Sequence, residues 1–106
     1  MEFRETSIFT RRINDLLSDE DYAQLQEYLR ENPDAGVVVP GSGGIRKLRW
    51  AETGRGKRGG IRVIYYHWVP ESVLYMLSVY AKNEMPNLPH AAYRRLKVLI
   101  EEEFKS

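Results

Sequence analysis

Seven basic side chains lie between Ile45 and Arg62 (Arg46, Lys47, Arg49, Arg55, Lys57, Arg58 and Arg62), against one acid, Glu52. The whole 106-residue chain carries 16 basic and 15 acidic residues, so the remainder holds nine and 14 and is net negative. A nearly neutral protein has therefore concentrated its positive charge in one window. Local potential rather than overall charge captures a polyanion, and this concentration is the footprint expected of a phosphate-backbone binder. The plainer reading, a solvated hairpin whose charges only keep it soluble, accounts less well for seven against one.

Were the polyanion RNA, the chemistry open to such residues would be phosphoryl transfer. Cleavage by the RNA's own 2′-OH requires a proton acceptor, stabilisation of a charged phosphorane and help for the departing oxygen. Arginine suits the middle role because its planar, permanently charged fork matches phosphate oxygens, and Arg62 is the candidate. A lysine crowded by other cations has its neutral form favoured, which makes Lys57, Lys47 or Lys82 candidate bases. Glu84 is the acid beside them and either joins the proton transfers or pairs with an arginine. Binding without cleavage recruits the same residue types, so a non-catalytic RNA- or DNA-binding module is the alternative.

Gly54-Arg55-Gly56-Lys57-Arg58-Gly59 literally satisfies G-x-G-x-x-G. A dinucleotide site needs a helix next, to receive the pyrophosphate on its N-terminus, whereas the β-branched and aromatic run Ile61 to Val69 follows. A kinase loop would need catalytic elements that this chain lacks, and no Lys-Ser/Thr completes a P-loop. The glycines are better read as a tip that brings Arg55, Lys57 and Arg58 close to a polyanion. The chain has no cysteine, and His67 and His90 lack ligand-like spacing, so neither a metal nor another cofactor is expected. No apolar run is long enough to cross a bilayer and the first residues lack a signal-peptide core; the expected location is the cytoplasm, with no membrane partner.

The elements that must position these side chains follow from periodicity and punctuation. The length suits a single domain over residues 1–106. Phe3 to Thr6 reads as a short strand. Thr6 or Ser7 caps a helix to about Leu17, and Ser18, followed by three acids, caps a second that ends at Asn32-Pro33. Gly36 to Pro40 is a linker or brief strand, and a Pro-Gly-Ser-Gly-Gly turn leads into a strand near Ile45. Ile61 to Val69 alternates on a period of two, with Ile61, Val63, Tyr65 and His67 on one face and Arg62, Ile64, Tyr66 and Trp68 on the other. A turn at Pro70 to Ser72 leads to a further strand, Val73 to Tyr80. A final helix, with Pro89 at its first position, presents Tyr93, Leu96, Leu99, Ile100 and Phe104 and is expected to fray at Glu101 to Glu103. The fold class is therefore α/β (α+β): an antiparallel sheet with two N-terminal helices and a C-terminal helix. In register, Arg49 should oppose Arg62, and Arg62 should oppose Val79, gathering Lys47, Arg49, Arg62 and Lys82 at one end of the sheet.

The runs Ile45-Arg46-Lys47-Leu48-Arg49, Lys57-Arg58-Gly59-Gly60-Ile61-Arg62-Val63-Ile64-Tyr65-Tyr66 and Tyr80-Ala81-Lys82-Asn83-Glu84-Met85 resemble the HigB branch of the RelE toxin superfamily. That resemblance spans essentially the whole chain. It implies a toxin of a type II toxin–antitoxin system, an endoribonuclease that cuts mRNA in the ribosomal (30S) A site and so inhibits translation. It further implies neutralisation by a cognate antitoxin with a helix-turn-helix domain, and operator DNA bound only through that complex. By the same resemblance, Lys47 and Arg49 match the basic pair before the loop, Arg62 the arginine that contacts the scissile phosphate, and Lys82 and Asn83 the basic positions after the following strand. Better-known members carry a tyrosine shortly after that last position. Here Met85 to Pro89 contains none, and neither Tyr80 nor Tyr93 occupies the matching place.

Overall fold

The computed structural model describes residues 1–50 and 60–105. Strand β1 (Glu2–Glu5) is followed by helices α1 (Ser7–Leu16) and α2 (Asp19–Glu31), strands β2 (Val37–Val38), β3 (Arg46–Trp50), β4 (Ile61–Trp68) and β5 (Val73–Ala81), and helix α3 (His90–Ile100). The sheet order is β1-β5-β4-β3-β2. Among the described strands only the β1–β5 pairing is parallel, as fits a strand reached through two helices rather than a hairpin.

Local chemistry sets the helix ends. The Thr6 hydroxyl oxygen accepts from the Phe9 N–H at 3.1 Å, and Ser18 accepts from Asp21 N–H at 3.1 Å, each meeting an orphan first-turn donor. Phe9, Ile13 and Leu17, at helical spacing, are buried with Leu25 and Leu29 of α2 against Leu48, Ile61, Val63, Tyr65, Leu74 and Met76. The opposite face of the sheet packs Ile45, Ile64, Tyr75, Leu77 and Tyr80 against Tyr93, Leu96 and Ile100 of α3. The alternation read for β4 thus divides two cores, whereas Ile8 at the start of α1 is exposed.

The β4–β5 register changes along its length. From the turn it runs Trp68↔Val73 to Tyr65↔Met76, the register that the turn dictates, and then becomes Ile64↔Ser78. One extra residue of β5, Leu77, is accommodated as a bulge. Its carbonyl accepts from the Thr6 hydroxyl at 2.8 Å, so the helix-capping residue also meets the bulge's spare acceptor. In consequence Arg62 faces Tyr80, not Val79 as expected from the turn alone.

Two further expectations need correcting. Pro89 is the cap rather than the first residue of α3. The chain does not fray after Ile100 but continues as a wide π-helical turn, Glu101–Lys105. There Glu103 bonds Arg4 at 2.9 Å, and the Phe104 ring stacks on Trp68 with centroids 5.0 Å apart, which offsets the unfavourable placement of three acids at a helix C-terminus. Among the described residues, no helix is long and apolar enough to cross a membrane.

Candidate nucleic-acid interface

Arg49 and Arg62 are directly opposed across β3 and β4. Two like charges at such a position repel unless other groups offset them. Lys47 lies two residues along on the same face, and its Nζ stands 3.5 Å from Asn87 Oδ1 in the segment leading to α3. Arg49 is exposed, whereas Arg62 is only 6% exposed, with Nη1 donating to the Ile61 carbonyl at 3.3 Å. Burial and tethering hold the Arg62 fork in place, which an exposed arginine would require a ligand to achieve.

On its other side Arg62 meets Tyr80, whose hydroxyl is shielded from solvent and makes no hydrogen bond of ordinary geometry. Burial pushes the Tyr80 phenol upward, opposed by the Leu88 backbone and the Arg62 charge. Tyr93 of α3 packs alongside, and burial followed by the neighbouring Tyr80 pushes its phenol up to about 12. Both hydroxyls are therefore neutral near pH 7, as donors rather than anions. Tyr80 and Asn87 are the site residues that sequence reasoning did not select. The hairpin register pointed one residue away from Tyr80, and nothing local marked Asn87.

The other candidates divide. Lys82 follows β5 directly and its backbone N–H bonds the Gly60 carbonyl at 3.2 Å, bringing it to the start of β4; Asn83 is next and exposed. Glu84 accepts from the Ala81 N–H at 3.0 Å and forms an ion pair with Arg12 of α1. The Ala81 N–H and then Arg12 hold its carboxyl below the usual range. It is thus engaged at the β5 edge. Arg46 does not join the cluster. It points to the α1/α2 face, where it donates to the Asp34 carbonyl at 3.1 Å and the Gly36 carbonyl at 2.7 Å. Gly36 must be small there, since a Cβ would lie 2.9 Å from the Tyr65 ring. Arg55, Lys57 and Arg58 lie outside the described residues. Among those described, no group of three or more His, Asp or Glu side chains is arranged to hold a metal ion.

What this arrangement can do is seat an anion at one end of an open sheet face, with Arg62 fixed, Arg49 and Lys47 beside it and Lys82 at the margin. No family model matches the sequence. The structure resembles that of E. coli toxin RelE in the free state, solved as a double arginine-to-alanine mutant: the TM-score is 0.59 at 14% identity, over 93% of this chain and 95% of that one. The fold is RelE-like.

Proposed function

We propose that this chain is the toxin of a type II toxin–antitoxin pair, of the HigB branch of the RelE superfamily, and that it cleaves mRNA on the ribosome. The observation that carries the reading is the opposed Arg49–Arg62 pair with Lys47 on the same face, set in a RelE-like fold. Arg62 binds the non-bridging oxygens of the scissile phosphate and stabilises the extra negative charge of the phosphorane. The RNA 2′-oxygen attacks phosphorus as its proton passes to a lysine of the cluster, Lys47, Lys82 or Lys57. The bond to the 5′-oxygen then breaks, leaving a 2′,3′-cyclic phosphate and a 5′-hydroxyl that takes up a proton. The small site supplies charge, and the ribosomal A site supplies the alignment of 2′-oxygen, phosphorus and leaving oxygen. The partners are the ribosome with its mRNA and a cognate antitoxin, probed as a helix-turn-helix protein, through which operator DNA is reached; the compartment is the cytoplasm.

One observation favours the second reading, a module that grips phosphate without cutting: Glu84, the acid nearest the cluster in sequence, is held by Arg12 and the Ala81 N–H. Controlled expression in a bacterial host separates the two. RNA 5′ ends are mapped on a reporter message whose start codon is intact or destroyed. New ends on the translated message alone support the ribosome-dependent nuclease. Ends on both keep the nuclease and remove the ribosome. Bound but uncut message assigns the protein to the binding module.

A further inference from the structure

A second basic site lies on the α3 side of the same sheet face. His90, Arg94 and Lys97, at helical spacing on α3, line a pocket of about 350 Å³ closed on its other side by the turn Pro40, Gly41 and Ser42, with Tyr93 also in its wall. Arg94 and Lys97 are exposed, and none of the three has a carboxylate partner among the described residues.

The opposing turn has a defined shape. Ser42 is buried, accepting from the Ile45 N–H at 3.0 Å and donating to the Val39 carbonyl at 2.6 Å. Gly43 has φ +78°, and the Lys97 stem crosses it so closely that a Cβ would stand 3.2 Å from Lys97 Cε. Lys97 is therefore laid across the turn, with its aliphatic stem packed and its ammonium delivered to the pocket. The eleven-residue helix also starts at this pocket, at His90, so its positive dipole end adds to the three side chains.

Two links join the pocket to Arg62. Tyr93 packs beside Tyr80, the cross-strand partner of Arg62, and Lys47 reaches Asn87, three residues before His90. We infer that the His90–Arg94–Lys97 pocket binds a backbone phosphate of the same single-stranded RNA that is held through another of its phosphates at Arg62. This rests on reading the Arg62 face as an RNA site and gives it a second point of grip, which fixes the direction of the strand across the sheet.

The test is equilibrium binding of a short fluorescent single-stranded RNA with 2′-methoxy groups throughout, which cannot be cleaved, over a range of salt. The variant Arg94→Ala/Lys97→Ala is compared with wild type and with Arg11→Ala/Arg95→Ala. That control removes the same net charge from exposed positions outside the pocket. The pocket variant is expected to bind roughly tenfold more weakly at low salt, as for removal of one charge-assisted hydrogen bond. Its plot of log K against log salt should flatten by about 0.7 for each phosphate no longer neutralised, with the control unchanged. Equal binding by the pocket variant and wild type, equal weakening in both variants, or no binding by wild type at low salt overturns the inference. Failure of the nuclease reading has a different signature: the oligonucleotide is bound with this pattern, yet translated message is never cut.

Discussion

The two faces of the sheet are made from alternate residues of the same strands, yet they have opposite designs. On the α1/α2 face, Ile61, Val63 and Tyr65 of β4 meet Phe9, Ile13, Leu25 and Leu29 in a closed apolar layer. On the α3 face, Ile64 and Tyr80 are covered, but the row continues into Arg62, Arg49 and Lys47 beyond the reach of α3's apolar stripe. The polar groups of the first face are matched: the Tyr65 hydroxyl donates to the Pro33 carbonyl at 2.8 Å and accepts from the Gly36 N–H at 2.9 Å. On the second face the buried Tyr80 hydroxyl has the Leu88 backbone beside it but no hydrogen bond of ordinary geometry among the described residues. One face is closed and apolar, and the other gathers cationic side chains beside a buried tyrosine, as expected where a surface is built for a ligand.

This contrast is sharpest at Phe9, wholly buried in the closed layer. Phe9→Ala should lower the free energy of unfolding by on the order of 3–5 kcal/mol in urea titrations, through the burial forfeited plus the cavity left behind. Tyr65→Phe strips two hydrogen bonds from buried partners and should cost about 1–3 kcal/mol. On the open face the expected damage moves from stability to activity. Arg62→Lys keeps the charge but loses the fork, and is expected to slow cleavage roughly tenfold, about 1.5 kcal/mol, with little change in Tm. Tyr80→Phe removes a hydroxyl whose polar neighbour is the Leu88 backbone, outside ordinary hydrogen-bond geometry, and should change stability by less than about 1 kcal/mol, well short of the loss at Tyr65→Phe. A Tyr80→Phe destabilised as much as Tyr65→Phe would show that the two faces differ less than their hydrogen bonds indicate.

The smallest effect belongs to Glu84, at the margin between the faces. Its folded pKa is lowered from 4.5 by the Ala81 N–H and Arg12. Its contribution is therefore present above the unfolded value and lost as pH falls through the lowered folded one. Urea midpoints measured down the acid limb should fall slightly less steeply for Glu84→Gln than for wild type. Parallel curves would contradict this.

Much of the architecture was legible because its causes are local. Thr6 and Ser18 cap the helices that follow them, and the alternation of β4 divides its side chains between two cores. Arg49 opposite Arg62 followed from counting back along a hairpin. The position of Tyr80 was not legible. The register that the turn dictates holds as far as Met76 and is then shifted by the Leu77 bulge, whose carbonyl is met by Thr6, 71 residues earlier in the chain. Arg46 sits among the basic residues in sequence, but strand alternation turns it to the closed face, where the Asp34 and Gly36 carbonyls engage it. The pocket on α3 depends on how that helix lies against the turn at Pro40 to Ser42, a packing relation that no window of sequence displays.

The central claim is that the open face cuts RNA by means of Arg62. Its most direct test is a reconstituted translation reaction on a defined message, with 5′ ends mapped by primer extension for wild-type and Arg62→Ala protein, with and without ribosomes. The account predicts new ends that require both ribosomes and Arg62, with the variant still folded by circular dichroism. Undiminished cleavage by folded Arg62→Ala protein would contradict it.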